Sequence, residues 1–165
     1  MNRVALAIAL VFAACAVGRA GDVMVGKMKL TAAWARATPK GATVGGGYFT
    51  ITNTGNTPDR LTGGVSDIAT RFEIHEMGMD KDVMKMREVT SGIEIKPGQT
   101  IRFEPSGYHI MFVGLKRPLK QGEHFSATLQ FEKAGSASID FIVESIGARS
   151  GGPAMPDSKP MQHGH

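Results

Sequence analysis

The sequence predicts an all-β domain, built as an antiparallel sandwich or barrel, and three observations support this prediction. Runs of alternating apolar and polar residues are short throughout the chain. Turn-forming Gly, Pro, Asn and Asp separate these runs at close intervals, as in 53–59 (NTGNTPD), 96–99 (KPGQ) and 133–136 (KAGS). No long stretch repeats its apolar residues with the period of a helix. Many short strands at this spacing are typical of a sandwich or barrel.

Residues 1–20 have the pattern of a secretory signal. Arg3 precedes an uncharged apolar run over residues 4–17, and this run is too short for an ordinary transmembrane helix. The small residues at positions 18 and 20 suit a signal peptidase that cuts before Gly21. We therefore expect export to the periplasm, with a mature chain that starts at Gly21.

Two alternatives remain at this end of the chain. The first is a cut after Ala16. The second is a lipoprotein signal at Cys15, which follows FAA, although Phe12 is a poor substitute for the leucine that usually stands three positions before such a cysteine. Lipid attachment at Cys15 is therefore the less favoured route.

The mature composition limits the chemistry. A chain that starts at Gly21 has about 145 residues and no cysteine, which excludes a disulfide framework and thiolate metal ligands. On folding, a chain of this size buries roughly 68–70% of the surface that it exposes when unfolded, which is enough for one stable domain. Without Arg3 and Arg19, the 19 Lys and Arg fall to 17 against 15 Asp and Glu. This small excess, without a basic cluster among aromatic residues, argues against nucleic-acid binding.

Nine strands follow from the alternation. Segments 125–131 (FSATLQF) and 137–143 (ASIDFIV) each have every second residue apolar, which predicts a hairpin covering the core. The triple glycine 45–47 predicts a bulge or bend before a strand. From about residue 149 three prolines and three glycines interrupt the pattern, so we expect one domain over 21–148 and a disordered tail over 149–165. The predicted strands are 30–35, 47–52, 61–66, 71–77, 84–89, 100–103, 108–115, 125–132 and 137–143.

Methionine and histidine are concentrated in 75–86 (HEMGMDKDVMKM), which holds four methionines and one histidine. Because side chains two residues apart share one face of a strand, the predicted strands offer three ligand pairs. Thioether sulfur binds soft Cu(I) well and needs no deprotonation, although a single methionine usually packs in a core. The pattern therefore favours a Cu(I) site. The three pairs are His75 with Met77, Met84 with Met86, and His109 with Met111.

The spacing of these residues resembles the periplasmic copper chaperones of the PCuAC type. Ten residues lie between His75 and Met86, 22 between Met86 and His109, and one between His109 and Met111. The family motif is a histidine, ten residues, a methionine, 21 or 22 residues, and then His-x-Met. The segments AWARATPKGATVGGGYFTITNTG, DRLTGG, VMKMREV and GYHIMFVGLKRPLKQGEHFSATLQFEKAG are also similar to the family framework. The resemblance covers roughly residues 30–143.

The resemblance implies a cupredoxin-like or immunoglobulin-like antiparallel β-sandwich that binds Cu(I) and is not an enzyme. It implies that His75, Met86, His109 and Met111 are the ligands of an exposed site. It also implies delivery of copper towards the CuA centre of cytochrome c oxidase, directly or with a Sco-type thiol partner. We expect the protein to be a monomer.

Other Met and His residues lie outside the motif. We expect Met77, Met79 and Met84 to be partly buried around the site rather than to bind the metal. The tail resembles a Met/His-rich extension that some family members carry, and imidazole accepts Cu(II). We therefore expect a second, weaker Cu(II) site on the tail, at Met155, Met161, His163 and His165.

Competing functions are copper tolerance or storage, a redox protein, and a structural sandwich that binds no metal. Blue-copper electron transfer requires a cysteine thiolate, which the mature chain lacks. A copper monooxygenase with an N-terminal histidine is disfavoured, because the two cuts expose Val17 or Gly21. A structural sandwich differs from the carrier in failing to bind one equivalent of Cu(I).

Overall fold

The computed structural model describes residues 21–151, which form eleven β-strands and no helix, so no helix of this part of the chain could cross a membrane. All nine predicted strands are present, with ends that differ by at most three residues. The prediction missed β1 and β7, which have three residues each. The strands are β1 (Val23–Val25), β2 (Met28–Arg36), β3 (Val44–Asn53), β4 (Asp59–Val65), β5 (Ala69–Asp80), β6 (Val83–Glu88), β7 (Ile93–Ile95), β8 (Thr100–Arg102), β9 (Tyr108–Leu115), β10 (His124–Phe131) and β11 (Gly135–Glu144).

The strands form one continuous hydrogen-bonded sheet that folds over itself into two layers. Its order is β6-β5-β9-β3-β2-β11-β10-β4-β7, with β1 added to β2 and β8 added to β3. The strand pairs are antiparallel except β2 with β11. The register of β2 shifts between Thr31 and Trp34, where Ala32 has a positive φ of 52°. This bulge bends β2 between the two layers.

Aromatic rings from both layers meet in the core. The Phe112 ring of β9 lies edge-on to Phe125 of β10 at 5.2 Å and to Phe141 of β11 at 5.6 Å, measured between centroids. Strand β9 does not pair with β10 or β11, so these contacts cross the space between the layers. Phe125 and Phe141 lie opposite each other in the β10–β11 hairpin, which is the hairpin that the alternation predicts. The all-β, cupredoxin-like sandwich is therefore confirmed.

The triple glycine 45–47 lies inside β3, and the predicted bend before a strand is wrong. A Cβ on Gly47 would lie 2.6 Å from the Phe112 ring and 3.2 Å from the Phe141 ring. The core rings fill the space that a side chain would need. These glycines also pair with β9, and Gly46 lies opposite Met111. Close packing therefore explains the glycines. It also lets β3 pair with β9, the strand that carries the predicted ligands His109 and Met111.

Candidate metal centre

The predicted ligands lie on the outer face formed by β6, β5 and β9. His75 of β5 is directly opposite His109 of β9, and Met77 of β5 is directly opposite Met86 of β6. Directly opposite residues of antiparallel strands project from the same face of the sheet. The residues between them point the other way, and Ile110 is fully buried in the core. The structure thus places the imidazole and thioether side chains on one face, as the alternation predicts.

His109 makes two polar contacts. Its Nδ1 lies 3.1 Å from the carbonyl oxygen of Gly107, and its Nε2 lies 3.1 Å from the Sδ atom of Met86. The histidine is buried, with 5% of its surface exposed, whereas Met86 on the edge strand is 50% exposed. Met86 therefore covers the imidazole and is itself accessible from solvent.

The two contacts of His109 cannot both be hydrogen bonds while the ring is neutral. A neutral imidazole has one N–H and one lone pair. The carbonyl of Gly107 only accepts, so Nδ1 carries the hydrogen, and the lone pair of Nε2 then faces the lone pairs of the Met86 sulfur. The other tautomer directs a nitrogen lone pair at the carbonyl oxygen. In either form, one contact joins two acceptors.

Protonation does not remove this conflict at neutral pH. Burial lowers the pKa of His109 below its ordinary value of 6.5, against the raising effect of the hydrogen bond to Gly107, and repulsion between the two imidazoles when both carry a proton lowers it further. The neutral ring therefore predominates at pH 7. A cation between Nε2 of His109 and Sδ of Met86 satisfies both lone pairs.

His75 repeats this arrangement. Its Nε2 lies 3.0 Å from Oε2 of Glu73, and its buried Nδ1 has no hydrogen-bond partner among residues 21–151. In the neutral ring, Nε2–H donates to the carboxylate, which leaves the Nδ1 lone pair free. The rings of His75 and His109 are 5.8 Å apart. Each imidazole thus has one nitrogen held by an oxygen and the other free, which is typical of metal-ligating histidines.

Glu73 is a site residue that the sequence interpretation missed. Its mostly buried carboxylate also lies 3.2 Å from Nη2 of Arg71, so it joins Arg71 to His75. The sequence feature that could have identified Glu73 is its position two residues before His75, which places both side chains on the same face of the strand. Glu73 adds a negative charge beside a group of otherwise neutral candidate ligands.

Met111 is placed by the register of its strand. It lies opposite Glu73 on β5 and opposite Gly46 on β3, on the same face as His109, and it is partly buried. The structure therefore joins Met86 to His109 by direct contact and sets His75 and Met111 beside them.

The separation of the two contacting donor atoms fits a small metal ion. A first-row metal holds imidazole nitrogen at about 2.0 Å and sulfur at about 2.3 Å, which in tetrahedral geometry separates them by about 3.5 Å. The observed separation of 3.1 Å between Nε2 of His109 and Sδ of Met86 requires only a small opening. Two imidazoles and two thioethers form a soft, neutral donor set that suits Cu(I).

The remaining predicted residues have different environments. Met77 is partly buried, as expected, but Met79 is 65% exposed and Met84 is 50% exposed, so the expected partial burial of these two is wrong. The β5–β9 pairing ends at Glu76, and no strand among residues 21–151 other than β6 pairs with β5 beyond that point. The predicted tail ligands lie outside the described residues; they are Met155, Met161, His163 and His165.

Comparison with known proteins identifies the family. Residues 28–143 match the family model "LpqE-like", described as "Putative lipoprotein LpqE-like". The chain belongs to the LpqE-like family. The LpqE-like chain is 32% identical over 119 residues to "Putative lipoprotein Lxx21020" of Leifsonia xyli subsp. xyli (strain CTCB07), and the match covers 72% of this chain and 70% of the relative.

Solved structures of PCuAC domains and of DR1885 have the same fold as the LpqE-like chain. The apo PCuAC domain from PmoF1 is 28% identical, with a TM-score of 0.64 over 76% of this chain and 99% of that domain. The copper-bound PCuAC domain from PmoF2 is 29% identical, with a TM-score of 0.64 over 76% and 98%. The CuI form of DR1885 from Deinococcus radiodurans is 30% identical, with a TM-score of 0.52 over 70% and 76%. The predicted relationship to the PCuAC family is therefore confirmed.

Proposed function

We propose that this protein binds one Cu(I) ion with His75, Met86, His109 and Met111 and carries it to an acceptor protein. The contact of 3.1 Å between Nε2 of His109 and Sδ of Met86 carries the proposal, because it brings two lone pairs together with no proton to share. The copper-bound PmoF2 domain and the CuI form of DR1885 support copper as the metal.

The site is suited to carrying copper rather than to catalysis. Thioethers favour Cu(I), and four neutral ligands leave its positive charge uncancelled within the ligand set. Met86 is half exposed on an edge strand, so an incoming ligand can replace its sulfur without unfolding the domain. These properties favour release to an acceptor with charged thiolate ligands.

We propose that the acceptor is the CuA centre of cytochrome c oxidase, reached directly or through a Sco-type thiol protein. Copper tolerance or storage is the second candidate, because an exposed neutral site also fits reversible buffering. Mixing the Cu(I)-loaded protein with a CuA-domain fragment or a Sco-type protein separates them. Transfer of copper supports delivery, and retention of copper with both supports storage.

Anaerobic Cu(I) titration against a chromophoric chelator, followed by X-ray absorption, tests the binding proposal. We expect residues 21–148 to bind one equivalent and to give both sulfur and nitrogen neighbours around copper. A spectrum with only nitrogen and oxygen neighbours contradicts the ligand assignment. A protein that fails to compete for Cu(I) at all is instead a structural sandwich.

We propose a second site, for Cu(II), on the tail that follows Gly151. A Cβ on Gly151 would lie 2.5 Å from the Trp34 ring, so the last described residue packs on that ring. Trp34 is opposite Tyr48, which shares a strand face with Gly46, the residue opposite Met111. The chain therefore enters the tail on the face that carries the proposed Cu(I) ligands.

The tail is long enough to reach the first site from there. Strands β2 and β9 are two neighbours apart in the sheet, or about 10 Å. Met155 is four residues beyond Gly151, a span of up to about 14 Å when extended. The imidazoles of His163 and His165 suit Cu(II), and the tail thioethers favour the reduced ion. The tail can thus capture Cu(II), and copper passes inward after a separate one-electron donor has reduced it to Cu(I).

Truncation after Gly151 should remove Cu(II) binding and leave Cu(I) stoichiometry at one, because the four folded-domain ligands are retained. Copper titration followed by electron paramagnetic resonance measures the Cu(II) site. The full-length variant His163→Ala/His165→Ala is the matched control and should also lose Cu(II). An unchanged Cu(II) titration in the truncated protein would assign the second site to the folded domain.

The described relatives bear on the location of the protein. Both the family and the Leifsonia relative carry the description "Putative lipoprotein", which favours the alternative at Cys15 over a cut before Gly21. We propose that the exported protein is attached to the membrane surface through a lipid on Cys15. The intact mass of the mature protein distinguishes a lipid-modified chain that starts at Cys15 from an unmodified chain that starts at Gly21.

A further inference from the structure

The tip of the β5–β6 hairpin exposes two methionines side by side. Met79 and Met84 are directly opposite each other, and they are 65% and 50% exposed. Full burial of a methionine side chain contributes roughly 1.5–3 kcal/mol, so these two methionines forgo about half of that stabilisation or more. The proposed four-ligand site does not use either residue.

The exposed pair is aligned with the proposed Cu(I) site. The next pair along the hairpin is Met77 with Met86, and His75 follows on the same face of β5. Each step of two residues moves about 6.8 Å along the strand. We call the pairs Met79–Met84 and Met77–Met86 the methionine ladder. It leads from the hairpin tip to Met86, which contacts His109.

The two faces of this hairpin have different chemistry. One face carries ion pairs, in which Arg87 contacts Glu76 and Lys85 contacts Asp80. The other face carries the methionine ladder and the site. Charged residues thus account for the solubility of the hairpin, while the thioethers occur on the face that the proposed ligands share.

We propose that Met79 and Met84 form an outer Cu(I)-binding pair through which copper enters and leaves the site. This inference rests on the proposed Cu(I) function. Copper remains Cu(I) throughout, because each step is a ligand exchange in which one copper–sulfur bond forms as another breaks. The outer pair supplies two ligands, and the remaining coordination positions of the copper ion are open to ligands from the donor or acceptor protein.

The spacing of the outer pair fits one copper ion. The Cβ atoms of directly opposite residues are about 4.5–5.5 Å apart. Two sulfur atoms at about 2.3 Å on opposite sides of one ion are about 4.6 Å apart. The flexible side chains of Met79 and Met84 can therefore place both sulfur atoms on the same ion.

The double variant Met79→Leu/Met84→Leu separates ligation from simple apolar docking, because leucine keeps the apolar volume and removes the sulfur. Methionine methyl NMR without a competing chelator should show that a second, weakly held equivalent of Cu(I), which the chelator titration does not count, shifts the Met79 and Met84 signals of the unchanged protein. In the variant, transfer of Cu(I) to a chelator should be about tenfold slower, while the affinity for the first equivalent changes less than about twofold. Met24→Leu, which changes an exposed methionine on β1, is the control and should transfer copper normally.

Two results would overturn the proposal. Unchanged transfer rates, with no methyl shifts at Met79 and Met84, would mean that the pair does not bind copper. A large loss of affinity for the first equivalent would make the pair part of the primary site. Failure of the unchanged protein to bind even one equivalent would instead refute the proposed function, and the stoichiometry distinguishes that result from the other two.

Discussion

Met86→Leu should lower the affinity for Cu(I) by more than about 100-fold, because loss of a ligand costs more than loss of a group that only orients one, which typically costs 10–100-fold. Leucine has nearly the volume of methionine, so it should still cover His109. Met86 is half exposed, and its removal creates no core cavity. The expected result is therefore a folded protein that binds copper weakly.

Anaerobic competition against a chromophoric Cu(I) chelator measures the affinity, and thermal unfolding of the copper-free protein checks the fold. Met24→Leu is the matched control, since it removes an exposed thioether from β1. Met111→Leu should behave like Met86→Leu if the register brings Met111 to the metal. Copper binding by Met86→Leu that equals the control would show that the contact between Met86 and His109 serves packing alone.

The sequence was most informative where alternation is regular. In β9, the alternation separates Ile110 and Phe112, which enter the core, from His109 and Met111, which face outward. The same rule unites His75 with Met77 on β5. The shared face of the candidate ligands was therefore predictable within each strand.

Features that depend on pairing between distant segments were not predictable. Gly47 of the triple glycine is explained by the Phe112 ring, 65 residues further along the chain. The exposure of Met79 depends on where β9 stops pairing with β5. Local alternation gives the face of a residue, but cross-strand register gives its neighbours.

Glu73→Ala should lower the affinity for Cu(I) by about 10–100-fold, the usual cost of removing a group that orients a ligating histidine. The Glu73 carboxylate accepts the Nε2–H of His75 and so leaves the lone pair on Nδ1 for the metal. Without this acceptor, both neutral tautomers of His75 become accessible, and the ring loses its fixed orientation. The loss of a nearby negative charge also disfavours the bound cation. Glu73→Gln should have a smaller effect, because its amide oxygen can still accept the hydrogen bond.

Nitrogen-15 NMR of the copper-free protein provides a readout that general destabilisation would not change. In the unchanged protein, His75 should be protonated at Nε2, and Glu73→Ala should give a mixture of tautomers. Glu88→Ala is the matched control, because Glu88 is an exposed carboxylate directly opposite His75 on β6. It should alter Cu(I) affinity less than about threefold, since exposed charges interact weakly. Equal losses in Glu73→Ala and Glu88→Ala would show that overall charge, rather than the hydrogen bond to His75, sets the affinity.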